Sequence, residues 1–306
     1  MRATFSTTAH DIDLCTDGCP WQILGSKSGH CRGVVFKSET VTMGFTRCKP
    51  VDALRGPEQL AVANILTFPR SGVFQMHVDG QTYIADPNQV LFSNQSDTFR
   101  TSHPGAGGDT TVWMSFSRPV LVDALRPYDP GAEDREGSMF TLRHAVCEPG
   151  RFLMQHALFE YGASGGAVDP VFLDESLCLL LGRVVADSYR ARGVRPTPSR
   201  PETTRVRAAF VEAVKELLAT RLTERLTLAM IAAHVHVSQF HLCRTFRAHT
   251  GLPLHRYLSM LRLRYTVSRL CEHSDDLARL ALDAGFSGHS HFADAFRREF
   301  GVPPSV

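Results

Sequence analysis

The C-terminal part of the chain repeats one short pattern, and this repetition limits the folds that are open to it. Phe246-Arg247, three further residues and Gly251-Leu252-Pro253 recur fifty positions later as Phe296-Arg297, three residues and Gly301-Val302-Pro303. Small apolar residues precede each copy at the spacing of one helix face. Repetition of this kind indicates one supersecondary unit that is used twice.

The first copy predicts a helix, a tight turn and a second helix. Leu228 and Ala232 belong to an apolar stripe, and Ser238 offers a hydroxyl that can cap the helix after the turn. Phe246 directs this second helix toward the first, and Gly251 fits the left-handed position that often ends a helix. Two helices joined in this way form a helix-turn-helix, whose second helix can enter the major groove of DNA.

The second copy predicts the same unit. Leu280-Ala281 lies in the stripe, Gly285 makes the turn and Ser287 is the expected cap. Phe292 and Phe296 are four residues apart and face the core. The opposite face of each second helix would then meet DNA, and Arg and Gln are suited to reading guanine and adenine edges. These outward positions are Gln239, Phe240, Cys243, Arg244 and Arg247 in the first copy and His289, Ser290, Ala293, Asp294 and Arg297 in the second.

Residues 228–304 resemble the DNA-binding domain of the AraC/XylS family of bacterial transcription regulators, in which a long helix joins two helix-turn-helix units. The family signature of the second unit is matched by Leu280-Ala281, Gly285-Phe286, Phe292, Phe296, Gly301 and Pro304. The joining helix would be 254–273, with Arg262 at the family's arginine position and Thr266 in place of the usual Ala. His236 replaces a frequent Gly at the first turn.

The resemblance implies a sequence-specific transcription regulator that binds double-stranded DNA, and an activator rather than a repressor. It also implies a small-molecule effector, RNA polymerase as a partner and a homodimer. It places Phe240, Cys243 and Arg244, then His289, Ser290, His291 and Asp294, against the bases. The predicted DNA-binding residues are Ser238, Gln239, Phe240, Cys243, Arg244, Arg247, His289, Ser290, His291, Asp294 and Arg297.

Charge is distributed unevenly along the 306 residues. From Arg205 to the end there are fourteen Arg and Lys against nine Asp and Glu, or +5, whereas the whole chain carries +2. A positive C-terminal third has the sign needed to bind phosphates. The first thirty residues lack the pattern of a secretory signal, and the apolar stretch 177–186 is too short to span a bilayer. We therefore predict a cytoplasmic protein with reduced cysteines and without a membrane segment.

The N-terminal part is typical of β structure. Short runs at 41–48, 60–68, 72–78 and 110–116 predict strands, and Asp79-Gly80 predicts a hairpin turn. Many short strands favour an antiparallel sandwich or barrel, and the resemblance implies a cupin-like barrel that binds the effector. The expected fold is thus two-domain α+β, with an N-terminal antiparallel β-barrel and helical hairpin followed by an all-α double helix-turn-helix.

Candidate effector residues in the barrel are His77 and Trp113, although the favoured reading is a surface or hydrogen-bonded histidine for His77 and ordinary packing for Trp113. A metal-dependent cupin enzyme would need clustered His and Glu, and His77 and His103 look isolated, without a His-x-His pair. We therefore expect no catalytic residue, no metal site and no cofactor. A cupin enzyme with a regulatory tail is the less favoured reading, and the prediction is a protein that is not an enzyme.

Four cysteines, Cys15, Cys19, Cys31 and Cys48, leave an alternative open. Four cysteines precede an AraC-like domain in the Ada-type regulators, which accept a methyl group, so a zinc-, redox- or alkylation-dependent role is the alternative function. The resemblance fails at its second half, because Val51 stands where a paired cysteine is required. Cys147, Cys178 and Cys271 are expected in the core, whereas Cys243 is expected to face outward.

Helical patterns follow the strands at 150–161 and 169–192, with Asp169 near the start of the second. This pair of helices predicts either a dimerisation surface, as the resemblance implies, or a layer packed on its own barrel. Pro196, Pro198 and Pro201 mark 193–204 as a linker. The expected domains are 1–192 for effector binding and dimerisation, 193–204 as linker and 205–306 for DNA binding.

Overall fold

The structure is a computed structural model that describes residues 21–24, 30–48, 56–103, 108–165, 168–196, 204–270 and 276–304. Its contacts divide the chain into two compact units. The β-rich unit comprises 1–35, 43–115 and 140–145, and the helical unit comprises 36–42, 116–139 and 146–306. In this division the helices after residue 116 group with the C-terminal helices, whereas the sequence placed a boundary at 192.

The described residues form eleven strands in two sheets. They are β1 (Trp21–Leu24), β2 (His30–Lys37), β3 (Val41–Cys48), β4 (Glu58–Ala61), β5 (Ile65–Gly72), β6 (Phe74–Val78), β7 (Gln81–Ala85), β8 (Gln89–Ser93), β9 (Thr98–Ser102), β10 (Asp109–Phe116) and β11 (His144–Val146). One sheet has the order β1-β4-β9-β6-β7 and the other β11-β8-β5-β10-β3-β2. Phe74 and Met76 from the first sheet pack with Leu91 and Trp113 from the second. The expected antiparallel β fold is confirmed.

The predicted hairpin at Asp79-Gly80 is also confirmed. β6 and β7 pair antiparallel with Val78 opposite Gln81, and the two turn residues have φ of 51° and 72°. Both positive φ values suit a two-residue hairpin turn. The single strand predicted over 60–68 is wrong, since the chain leaves one sheet after β4 and enters the other with β5.

Nine α-helices are described. They are α1 (Arg118–Leu125), α2 (Pro149–Ala163), α3 (Pro170–Ala191), α4 (Thr204–Thr220), α5 (Leu228–His234), α6 (Gln239–Thr250), α7 (Leu254–Leu270), α8 (Leu277–Asp283) and α9 (His289–Phe300). Within this described part, none combines the length and apolarity that a bilayer crossing requires. The all-α C-terminal part is as expected.

Helix α3 is the centre of the helical unit. Asp169 caps it by accepting hydrogen bonds from the backbone amides of Val171 and Phe172, as its place near the helix start predicted. Buried residues lie on several sides of α3, and it packs against α1, α2, α6 and α7. Because one face of the helix would bury only a single stripe, burial on several sides identifies α3 as a core helix of this unit.

A buried carboxylate ties α3 to the start of the helical unit. Asp174 accepts hydrogen bonds from the Ser38 hydroxyl at 2.6 Å and the Thr40 hydroxyl at 3.3 Å. Burial raises the pKa of Asp174 to about 6, although both hydrogen bonds act in the opposite direction. This pKa makes Asp174 sensitive to mildly acidic pH.

Candidate nucleic-acid interface

The first helix-turn-helix is formed by α5 and α6. Ala232 of α5 is buried, and Phe246 of α6 is fully buried with its ring edge-on to Tyr257 of α7. Ser238 caps α6 by accepting a hydrogen bond from the amide of His241 at 3.1 Å, as predicted. His236 takes a φ of 55° in the turn, and Gly251 ends α6 with a φ of 74°. The Ser238 cap and the left-handed residues His236 and Gly251 therefore determine where α6 begins and ends.

The second helix-turn-helix is formed by α8 and α9 and repeats the core of the first. Ala281, Phe292 and Phe296 lie in one buried cluster. Gly288, not Ser287, occupies the cap position of α9, so the predicted cap is wrong. The Ser287 hydroxyl instead pairs with Nδ1 of His291 at 2.9 Å.

Arg262 of the joining helix α7 has a structural role. Its guanidinium is buried and donates to the carbonyl oxygens of Leu222 at 2.8 Å and Glu224 at 2.9 Å. A Cβ at Gly285 would lie 2.8 Å from Nη2 of Arg262, and Gly285 has a φ of 80°. This position thus requires glycine for both space and backbone conformation. Arg262 therefore contacts both the segment between α4 and α5 and the turn of the second helix-turn-helix.

Exposure separates the predicted DNA-binding residues into three groups. The exposed residues are Arg244, Arg247, His289, Ser290, Asp294 and Arg297; the half-buried ones are Ser238, Gln239, Phe240 and His291; and Cys243 is buried. The exposed groups follow the outward faces of α6 and α9, where an α-helix can present side chains to a major groove. DNA contact by any of them remains a prediction.

His291 is partly turned into the second helix-turn-helix. Its ring packs edge-on against Phe286 with 5.5 Å between ring centroids. Burial lowers the pKa of His291, so its imidazole is neutral at pH 7. The positive charge of α9 therefore comes from Arg297 and Arg298 rather than from His291.

Helix α3 covers part of the outward face of α6. Cys243 is buried and lies beside Cys178 of α3, and the neighbouring Cys178 thiol together with burial raises the pKa of the Cys243 thiol well above its ordinary value. The ring of Phe240 lies against Gly182 of α3, where an added Cβ would be 2.9 Å from Cε2. The Ser238 hydroxyl also hydrogen-bonds to Asp123 of α1. The prediction that Cys243 faces outward is wrong, because α3 occupies that side.

Glu175 connects α3 to the joining helix. Its carboxylate accepts hydrogen bonds from the amides of Leu254 at 2.8 Å and His255 at 2.9 Å, and it contacts Nδ1 of His255 at 2.7 Å. It therefore satisfies the free amides at the start of α7. The sequence reasoning missed this cap. Its signal was a second stripe on α3, in which Glu175, Cys178 and Gly182 are three and four residues apart.

A cavity of about 600 Å³ lies among α1, α3 and α6. Its lining includes Tyr128, Cys178, Gly182, Phe240, Arg244 and Arg247. Pockets for small molecules commonly have about 300–1,000 Å³, so a metabolite-sized ligand fits this volume. Four residues predicted to meet DNA, Phe240, Cys243, Arg244 and Arg247, line the same cavity.

Neither candidate effector residue of the β-rich unit lines its interior cavity, which is lined by side chains such as Met76 and Thr111. His77 alternates with the buried Met76 and Val78; its Nδ1 pairs with the Thr82 hydroxyl at 2.9 Å and its Nε2 with the Ser102 hydroxyl at 2.7 Å. Trp113 is fully buried in the core. Effector contact by either residue remains a prediction.

His103 is not isolated, contrary to the sequence interpretation. Its Nε2 lies 2.5 Å from Oδ1 of Asp109, and the Cys48 thiol is within 4.8 Å of both groups. All three side chains are buried. Cys147 and Cys178 are buried as expected. Cys15, Cys19 and Cys271 lie outside the described residues.

Comparison with known proteins identifies the shared part of the sequence. Residues 231–306 match a family model described as a helix-turn-helix domain. Over 75 residues, 24% of the chain, the sequence is 43% identical to the HTH-type transcriptional activator RhaS of Escherichia fergusonii, and the match covers 27% of that protein. It is 26% identical over 96 residues, 31% of the chain, to the bifunctional transcriptional activator/DNA repair enzyme AdaA of Bacillus subtilis, covering 46% of AdaA.

Among solved structures, ToxT from Vibrio cholerae aligns with a TM-score of 0.35 and 13% sequence identity, over 87% of this chain and 97% of ToxT. The sequence matches to RhaS and AdaA span less than half the length of either protein.

Proposed function

We propose that this chain, which carries an AraC-type helix-turn-helix domain at its C-terminus, is a sequence-specific DNA-binding transcription regulator that responds to a small-molecule effector. The observation that supports this most directly is the pair of helix-turn-helix units joined by α7. In both units the second helix buries one apolar face and exposes polar side chains on the other. This arrangement suits a protein whose two helices bind successive segments of the major groove, roughly 34 Å apart on one face of the DNA.

The exposed side chains of α6 and α9 differ in the DNA contacts that they can make. Arg244 is suited to a bidentate contact with guanine, and Arg247 lies one turn further along α6, where a phosphate contact is favoured. In α9, Arg297 supplies a phosphate contact, whereas Asp294 can accept a hydrogen bond only from a donor such as cytosine N4. The first helix-turn-helix therefore contributes more to base recognition than the second.

The contact between α3 and α6 supports a route for regulation. Phe240 and Cys243 cannot meet bases while they pack against Gly182 and Cys178 of α3. DNA binding by α6 therefore requires that it separate from α3. A ligand shifts such an equilibrium only if it binds the two states differently. Because the cavity lies between these helices, an effector bound there would interact differently with the packed and separated states.

The proposal includes a homodimer that contacts RNA polymerase and activates transcription. Of the two helices expected to dimerise, α3 is largely buried within its own chain. Helix α2 is more exposed, and the side chain of Leu153 is 67% exposed. We therefore assign the dimer contact to α2.

The alternative, a regulator that accepts an alkyl group or senses oxidation through a cysteine, draws support from the similarity to AdaA. A reactive cysteine needs an accessible thiolate. Burial raises the pKa of Cys48 to about 12, so this thiol is neutral and a poor nucleophile. Any such role would have to use Cys15, Cys19 or Cys31.

Selection of bound sequences from random duplex DNA tests the proposed function. Full-length protein should enrich one motif with two conserved segments spaced by about one helical turn. Adding pooled small metabolites should change the fraction of DNA bound without changing the motif. Enrichment of no motif, or binding that one strand of DNA supports equally well, would contradict the assignment.

A further inference from the structure

Three side chains with metal-binding atoms meet inside the β-rich unit. Cys48 is the last residue of β3, His103 follows β9 directly and Asp109 begins β10. β3 and β10 are neighbours in the six-stranded sheet, whereas β9 belongs to the other sheet. The sulfur, the ring nitrogen and the carboxylate oxygen all lie within 4.8 Å of one another. Two sheets thus bring together ligands that are 55 and 61 positions from Cys48 in the sequence.

The burial of these groups is difficult to explain by packing alone. Cys48, His103 and Asp109 are 5%, 5% and 9% exposed. Buried ionisable groups are costly unless they are paired or bind a metal. The His103–Asp109 contact accounts for one pair, and the Cys48 thiol lies within 4.8 Å of both groups.

The small cavity next to the three side chains contains a further polar group. It measures about 50 Å³ and is lined by Thr46, Cys48 and Asp109, among others. The Thr46 hydroxyl is buried, and no hydrogen-bond partner for it occurs among the described residues. A water needs about 10–15 Å³ of such volume, so there is room here for a water or a few ligand atoms. The cavity therefore offers space for an additional ligand beside the three side chains.

We propose that Cys48, His103 and Asp109 bind one Zn²⁺ ion, with a fourth coordination position directed to the cavity beside Thr46. A thiolate, an imidazole and a carboxylate form a ligand set that zinc accepts, whereas Mg²⁺ and Ca²⁺ prefer oxygen ligands alone. Three protein ligands with one open position are typical of zinc sites that bind a water or a small ligand. The site is separate from the helix-turn-helix units and does not depend on the proposed function.

Charge balance is compatible with this ion despite a neighbouring arginine. Arg32 also lines the cavity and donates from Nη2 to the Gln59 side chain at 2.7 Å. Zn²⁺ with the Cys48 thiolate and the Asp109 carboxylate is neutral, and binding releases the thiol proton to solvent. Arg32 would therefore face a neutral centre.

Binding requires a small local adjustment. His103 Nε2 and Asp109 Oδ1 are 2.5 Å apart. Bonds of about 2.0–2.2 Å in a tetrahedral site place two such ligands roughly 3.3 Å apart. The ion would replace the present hydrogen bond, and rotation of either side chain provides the added separation.

Cobalt substitution tests the proposal in the full-length protein. After removal of metal by a chelator, one equivalent of Co²⁺ should produce a thiolate-to-cobalt charge-transfer band and the visible bands of a tetrahedral site. Zn²⁺ should abolish both bands at one equivalent per chain. The intensity should correspond to one thiolate per cobalt. Absence of the charge-transfer band, or an intensity equal to that of several thiolates, would overturn the proposal.

Variants distinguish this site from the N-terminal cysteines. Cys48→Ser and His103→Gln should each weaken Co²⁺ binding at least tenfold, as is typical for loss of a ligand. Cys147→Ser is the matched control, because Cys147 is another buried cysteine, and it should bind as the unmodified protein does. The pair Cys15→Ser/Cys19→Ser should also retain the signal. If the signal were lost in this pair and kept in Cys48→Ser, the metal would belong to the N-terminal cysteines.

X-ray absorption on the unmodified, zinc-loaded protein covers the case in which the variants fail to fold. The expected spectrum shows one sulfur at about 2.3 Å and nitrogen or oxygen ligands at about 2.0–2.2 Å, including one imidazole. A shell of four sulfurs, or one without sulfur, would exclude the Cys48-His103-Asp109 site.

Discussion

A Cβ added at Gly182 of α3 would lie 2.9 Å from Cε2 of Phe240 and 3.0 Å from its Cζ. Helices α3 and α6 approach this closely because Gly182 has no side chain, and the ring of Phe240 from α6 occupies the space. Four residues earlier on α3, Cys178 lines the same cavity as Cys243 of α6. Gly182 and Phe240 therefore set how firmly α3 holds the first helix-turn-helix.

The substitution Gly182→Leu should release α6. Overpacking a buried contact typically costs about 1–3 kcal/mol, which corresponds to about five- to 150-fold in an equilibrium constant. If α3 restrains α6, affinity for the selected DNA in the absence of effector should rise by at least about fivefold, as measured by fluorescence anisotropy. Gly150→Leu is the control, since a Cβ at Gly150 meets nothing within 4 Å. Equal or weaker DNA binding by the folded Gly182→Leu protein would show that α3 does not restrain α6.

The two exposed arginines of α6 should differ in what they contribute. Arg244→Ala is expected to cost about 1–3 kcal/mol and to relax the preference at one base pair. Arg247→Ala is expected to weaken all sequences alike and to reduce the salt slope by about one unit. Salt titrations with specific and non-specific duplexes separate these outcomes. Unchanged specific binding in both variants would mean that the outward face of α6 has been assigned incorrectly.

Local sequence patterns predicted the elements well, because caps and turns are decided by a few neighbouring residues. Ser238, Gly251 and Gly285 occupy the expected cap, end and turn positions. Ser287 is not the cap because α9 begins one residue later, with Gly288 at the N-cap, and the Ser287 hydroxyl pairs with His291 instead. Ser and Gly are both favoured at the N-cap of a helix, so N-cap propensity alone does not predict which of two adjacent residues occupies that position.

Contacts between distant segments could not be predicted from local patterns. Cys243 was assigned to the outward face from its helical position, yet that face is covered by α3, some sixty residues earlier in the chain. Glu175 caps a helix that begins 79 residues later. His103 looked isolated because its neighbours Cys48 and Asp109 come from other strands. Each case depends on tertiary packing, which leaves no fixed spacing in the sequence.

A fragment that starts near Thr203 tests the expected domain boundary. We predict that it folds alone and binds the selected DNA without any response to effector, because the proline-rich stretch before it marks a boundary. Its affinity should be lower than that of the full-length protein, because the proposed dimer gains effective concentration from a second DNA-binding domain. Circular dichroism and anisotropy provide the measurements. An unfolded fragment would show instead that α3 is needed to complete the helical core.

The pKa of Asp174 predicts a pH-dependent contribution to stability. Burial raises this pKa from 3.8 to about 6, so the folded state binds the proton more tightly than the unfolded state. Below pH 4, Asp174 is protonated in both states and does not lower the free energy of unfolding. As pH rises through about 6 this carboxyl ionises in the folded state, and the free energy of unfolding falls by about 3 kcal/mol in total. Asp174→Asn should therefore gain stability relative to the unmodified protein between pH 4 and pH 7 in urea unfolding. A pH profile of Asp174→Asn that runs parallel to that of the unmodified protein would contradict the assigned shift.

Two equivalent alanines test whether the helix-turn-helix units occupy successive grooves. Ala232 is 2% exposed and Ala281 is 0% exposed, and each lies where the first helix of its unit packs on the second. Ala232→Leu and Ala281→Leu should each cost about 1–3 kcal/mol by overpacking and displace the reading helix of that unit. Ala232→Leu should reduce DNA affinity more, because Arg244 makes α6 the stronger reader and Asp294 weakens α9. Footprinting should show protection lost from one half of the site in each variant, and from a different half in each. Loss of the same half in both would show that the two units do not read successive segments of the major groove.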